Sequence, residues 1–295
     1  MPTYNFKEEA EVYVVSGGSQ YRIHVADISF GQTFSEESHP VNTIHSPNDL
    51  FEASVINKAN AANFSFSVPA IVESNYLILE TLLINVSAFD LYIKTPADVY
   101  HLSQSVMTNG SFVIERSRPL RLEITGEASR LYKAVSGFNV TASAITAKSY
   151  TIPKIDVSVA GTTLDSVLRV SLELQNEISW TPFTTVNGAF SATTMYPSGF
   201  TISKKVLAGS ITQYLTGENK STALSFSSGA SLSIKGGNGL SAPAFRGFSF
   251  GPATCAFTNR ISTGGIFMQT YDWRLADNSS SLATILKYET DWGGH

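Results

Sequence analysis

The chain has 295 residues and a formal net charge of −4, with 15% charged residues against 43% hydrophobic ones. That acidic balance offers none of the basic patches that displace counterions from phosphate, which excludes a nucleic-acid-binding surface. A lone cysteine, Cys255, excludes an internal disulfide. The most apolar stretch, Tyr76–Val86, is interrupted by Glu80 and Asn85, so no membrane-spanning helix is expected.

The start of the chain is acidic and has no apolar core of a signal peptide, which predicts synthesis in a cytosol. From there strand signals dominate. Tyr21–Phe30 alternates, with Ile23 and Val25 on one side and Arg22 and His24 on the other. Asn63–Val68, Phe89–Ile93, Ser111–Glu115 and Leu120–Ile124 alternate too. In the second half the same period appears in Leu168–Leu174, Ser231–Ile234, Phe245–Phe250 and Phe267–Trp273. Ser16–Ser19, Ser46–Asp49, Asn109-Gly110, Tyr196–Gly199 and Lys235–Gly239 read as turns. Helix signals are few. Pro96–Met107, with Thr95 as its cap, is predicted helical, and Ile71–Leu83 reads as either helix or strand. Many short strands of one apolar face predict a mainly β protein of sandwich or barrel type.

The two halves resemble one another. Arg22 and Arg169, Pro47 and Pro197, Phe51 and Phe200, and Thr108-Asn109 and Thr258-Asn259 match at a near-constant offset of about half the chain. Two tandem, related β domains are therefore expected, residues 1–148 and 149–295, joined around Thr141–Lys154. The acidic excess falls on the first half. A fused pair commonly replaces two neighbouring subunits of a symmetric assembly.

Catalytic signatures are missing. The histidines form no H-x-x-x-H pair, no G-x-S-x-G elbow is present, and the glycines at 236–239 lack the Lys-Ser/Thr of a phosphate loop. His39 and His45 beside Glu36 and Glu37 read as a polar loop rather than a metal site, and no cofactor or metal is expected. Trp180 and Trp273 read as core or interface anchors, with a sugar-binding platform as the rival reading; Trp292 lies on a tail suited to reach a neighbouring subunit.

The second half from Asn187 to Leu215, with Tyr196–Gly199 inside it, and the run Phe267–Trp273 resemble bacteriophage tail tube proteins. The resemblance implies a virion structural protein, not an enzyme, whose chains form rings stacked into a DNA-conducting tube. A duplicated chain of this kind implies homotrimeric, pseudo-hexameric rings. It also implies tape measure, terminator and tip proteins as partners, with DNA passing through unbound and no membrane contact. Asp27, Glu52, Asp90 and Glu123 are candidate lumen acids, and Lys204 and Lys205 are expected to face outward or pair with acids. Glu36, Glu37, His39, Trp180 and Phe183, in the long loops Gly31–Asp49 and Ser179–Gly199, are candidates for inter-ring contact; Trp273 and Trp292 are candidate interface aromatics. A different virion protein (tail tip, baseplate or capsid) and a carbohydrate-binding adhesin remain alternatives.

Overall fold

The computed structural model describes residues 7–39, 53–69, 73–115, 118, 121–133, 136–143, 154–181, 195–217, 219, 229–237, 247–276 and 286–289. Its strands run in chain order as β1 (Glu11–Ser16), β2 (Ser19–Ile23), β3 (Asp27–Gly31), β4 (Phe34–His39), β5 (Ala53–Ala59) and β6 (Ala62–Val68). A helix, α1 (Glu73–Asn85), precedes β7 (Phe89–Lys94), β8 (Val99–Glu115), β9 (Arg121–Ala128) and β10 (Arg130–Tyr132). The second half has β11 (Lys154–Val159), β12 (Thr162–Thr163), β13 (Val167–Trp180), β14 (Phe200–Tyr214) and β15 (Ala230–Gly237), then β16 (Gly247–Gly264), β17 (Ile266–Leu275) and β18 (Leu286–Glu289). The fold is mainly β and sandwich-like; the strands form a large antiparallel sheet and a separate β4–β5 ribbon.

The strand order is the same in each half. The first reads β2-β1-β7-β8-β9-β6-β3, with β10 beside β8. The second reads β12-β11-β15-β16-β17-β14-β13, with β18 beside β16. Details repeat as well. The β7–β8 pairing shifts register between Phe89 and Leu91, and the β15–β16 pairing shifts between Leu232 and Ile234. Near that irregularity the long strand bends through a residue of positive φ, Gln104 at 51° in β8 and Gly251 at 86° in β16. The halves are joined by pairing of β13 with β8, Arg169–Gln175 against Glu115–Asn109, so the sheet is continuous across the chain.

Three expectations are corrected. Pro96–Met107 is not a helix: a turn held by Thr95 and Asp98 leads into β8, whose backbone is satisfied by β7 and β10 on either edge. The uncommitted stretch 71–83 supplies the helix instead, as α1. Asn109-Gly110 is not a turn but lies inside β8; a side chain at Gly110 would collide with Leu83 of α1, so the glycine lets the helix sit on the sheet. Arg22 and Arg169 are not equivalent, because Arg22 lies on β2 and Arg169 on β13, the counterpart of β3. Pro47 and Phe51 lie outside the described residues, whereas Thr108-Asn109 and Thr258-Asn259 do fall on corresponding strands, β8 and β16.

The last turn of α1 carries no cation of its own. The second half supplies the missing partners. Buried Asn176 of β13 donates from Nδ2 to the carbonyls of Leu83 (3.0 Å) and Met107 (3.1 Å), and Lys205 of β14 donates to Ile84 O at 2.8 Å. Lys205 therefore turns to the helix rather than outward to an acid. Asn176→Leu leaves two buried carbonyls without a donor and is expected to lower stability by about 2 kcal/mol, read as a fall in denaturant midpoint. Lys205→Met, at a more exposed site, is expected to cost about half as much.

Candidate functional site

Most of the buried apolar residues of the β3-β6-β9-β8-β13-β14-β17-β16 run lie on one face. Directly opposed residues share a face, so Ile28, Phe66 and Ile124 form one buried row in the first half, and Val170, Ile211 and Tyr271 one in the second. Every intervening side chain points to the other face. One row there crosses all of these strands: Asp27, Ser67, Glu123, Ser111, Glu173, Ala208, Arg274 and Ala256. The neighbouring rows are rich in Ser, Thr and Asn. Ser171 and Ser210 hydroxyls meet at 2.8 Å, Thr212 and Thr270 at 3.1 Å, and Asn109 Nδ2 donates to Glu173 Oε1 at 2.9 Å.

Charges on this face are mixed and net acidic. Asp27, Glu115, Glu123, Glu127, Glu173, Glu177 and Asp272 share it with Arg121, Arg169, Lys204, Arg260 and Arg274. The surplus of acids lies in the first half. Several are paired: Arg169 with Glu115 (3.5 Å), Arg260 with Asp272 (3.6 Å) and Asp27 with Lys7. The Lys7 ammonium hydrogen-bonds the Asp27 carboxylate and holds its pKa below the ordinary value. Glu123 is exposed, between Ser67 and Ser111. The face is polar, with alternating hydroxyls and charges. Among the described residues no group of His, Cys, Asp and Glu could hold a metal.

The other sequence candidates scatter. Asp90 sits on β7, away from this face. Its Oδ1 lies 3.2 Å from His101 Nε2 and accepts the Gln104 N–H at 3.1 Å, the residue at which β8 bends. Burial works to raise the Asp90 pKa, but the His101 and Gln104 donors outweigh it and hold it below the ordinary value. A depressed carboxylate pKa stabilises the fold above the unfolded value of about 4, and the contribution is lost as pH falls through the folded value. Asp90→Asn should therefore cost about 1 kcal/mol at neutral pH and flatten the loss of stability below about pH 4, measured by chemical denaturation across pH. Around this pair Phe138, Tyr92, His101 and Tyr132 stack in sequence, and Arg130 lies over the Tyr132 and Tyr196 rings at 4.4 and 4.2 Å.

Glu36, Glu37 and His39 fall on β4, which pairs with β5 as a two-stranded ribbon; Glu36 is exposed, and the side chains of Glu37 and His39 lie outside the described residues. Glu52, Phe183 and Trp292 are also outside them. Trp180, at the end of β13, donates from Nε1 to Glu127 at 2.6 Å and packs edge-on against Phe200. The β4–β5 ribbon touches the Ser179–Gly199 segment, through Ala59 N–H to Met195 O (2.9 Å) and Phe34 against Tyr196. Trp273 is buried in the chain's own core, its ring stacked on Phe250 at 4.8 Å, so it is on the surface neither as an interface anchor nor as a sugar platform.

Glu127, Glu173 and Arg121 of the polar face were not singled out from the sequence. Strand alternation marks their strands as two-faced, but which strands adjoin follows only from the pairing. Residues 2–290 match a family model described as the bacteriophage baseplate tube protein family. No curated protein matches the chain.

Proposed function

The chain belongs to the bacteriophage baseplate tube protein family, and on that premise we propose that three copies close into a ring of six similar lobes that stacks into the DNA-conducting tube. The family is one of virion structural proteins, not of enzymes, and its members work within the phage tail alongside other tail proteins. The observation that carries the ring reading is the repeated strand order within one continuous sheet. In this reading the two halves are two related domains, and three such chains offer six lobes. Closing the sheet on itself also removes the free strand edges that invite uncontrolled pairing.

The polar face lines the channel in this reading. Hydroxyls offer DNA phosphates no fixed cation, and the acidic surplus repels them, so the duplex slides. Asp27 and Glu123 share one row and stay as lumen acids; Asp90 does not. The arm β4–β5 and the extension of β13–β14 contact the next ring, and tape measure, terminator and tip proteins complete the tube. Synthesis takes place in the host cytoplasm. Native mass spectrometry of the purified chain tests the reading: a three-chain species, with larger masses that grow in steps of three chains, supports it, and a monomer at high concentration, or a smallest closed species of six chains with no three-chain species, contradicts it.

A further inference from the structure

The internal junction predicts the external one. Following cross-strand partners, the first half contains the row Ile28–Phe66–Ile124–Gly110 and the second the row Val170–Ile211–Tyr271–Asn259. Their first three members are buried on the same side of the sheet in each half, which makes Ile28 the counterpart of Val170, and Gly110 that of Asn259. At the junction within the chain, Val170 lies opposite Ile114 and Leu172 opposite Phe112. Carried onto the other half, Ile28 falls opposite Thr263 and Phe30 opposite Ile261.

Both edges required are open. Among the described residues β3 pairs with β6 alone, and the 258–264 segment of β16 pairs with β17 alone. Everything from Thr258 to Phe267 is exposed. The contrast is sharpest at one position: Phe112, in the made junction, is 5% exposed, while its counterpart Ile261 is 60% exposed. Ile266 and Phe267, at the tip of the same hairpin, are 57% and 59% exposed. Apolar side chains on an unpaired edge mark a surface that awaits a strand.

We propose that this edge takes the β3 strand of a second copy of the chain, antiparallel, with Asp27–Thr33 against Gly264–Thr258, reproducing between chains the β13–β8 junction. Phe30, half-buried against Tyr100, then covers Ile261 as Leu172 covers Phe112. The contact is head to tail, since β3 and β16 are different surfaces, and each added copy presents both edges again. It deepens the ring reading and rests on it, for it names the strands and register at which the ring closes.

Cysteines at Ser29 and Ser262, both exposed and directly opposed in this register, test it. Cys255 is buried and its thiol is pushed up to about 12 by that burial, so it does not compete for oxidation. Under mild oxidation S29C/S262C should convert most of the protein to disulfide-linked multimers, while the out-of-register pair S29C/R260C should stay largely uncrosslinked. Ser171→Cys with Val113→Cys, opposed at the internal junction, is the positive control within one chain. In parallel, Ile261→Asp should leave a folded chain by circular dichroism that no longer assembles. Multi-chain assemblies by native mass spectrometry with no S29C/S262C crosslink would overturn the register and leave the ring standing. No assembly of the parent protein under any condition would overturn the ring itself.

Discussion

Gly209→Phe is expected to unfold the second half's core, and Trp273→Gly to hollow it, yet the two together should recover much of what either loses. Gly209 lies opposite Leu172 on one side and Trp273 on the other. A Cβ there would run into Ser171 O and come within 2.7 Å of Trp273 Cζ2, driving the indole off Phe250. In the first half the corresponding cross-strand pair is Phe64 and Gly126, with the sizes exchanged: the ring comes from β6 and the glycine from β9. Large and small have traded strands while the volume of the pair is kept. Each single change should cost about 3 kcal/mol or more, by overpacking or by the cavity left behind. The pair copies the first-half arrangement, so a double-mutant cycle by denaturant unfolding should give a coupling energy of at least about 1 kcal/mol in favour of the double variant. Additive losses would mean that the Ser171 carbonyl, rather than the indole, sets the cost of a side chain at Gly209.

Reversing Glu123 and Glu173 to lysine should turn a DNA-indifferent assembly into one that binds DNA. Both lie in the row that crosses the polar face, separated by Ser111. Neither takes part in the buried row, so the fold should survive, as circular dichroism would show. The parent assembly is expected to show no measurable affinity for duplex DNA at physiological salt. The variant should bind, with affinity falling steeply as salt rises, because each phosphate contact releases counterions at a log–log slope of about −0.9. Intact assemblies that gain no salt-dependent affinity would place this face away from DNA.

Much of the fold was legible in the sequence because period-two alternation is local. Asn63–Val68, the described part of Leu120–Ile124 (from Arg121) and Phe267–Trp273 are strands where they were read. The helix was misplaced for the opposite reason. Pro96–Met107 has local helix signals, but β7 and β10 claim its backbone, while α1 is fixed by packing on Gly110 and by Asn176 and Lys205, remote in sequence. The residue matches between the halves were misaligned at Arg22, which lies on β2 while Arg169 lies on β13. Val14 and Val157 share one spacing with Leu91 and Ile234, whereas Ile28 to Val170 is shorter and Ile124 to Tyr271 longer, since the loops of the two halves differ in length. A single offset cannot follow such drift. The polar face was legible only as alternation; that Asp90 lies on β7, outside that face, with its carboxylate accepting the N–H of Gln104 where β8 bends, follows only from the pairing.

Electron cryomicroscopy of the assembled ring bears most directly on the central claim. The account predicts three chains and six similar lobes around a channel lined by the Asp27–Glu123–Glu173 row, with β3 of each chain paired to β16 of the next. A ring of six chains, or a channel lined by the opposite face or chiefly by lysine and arginine, would contradict it.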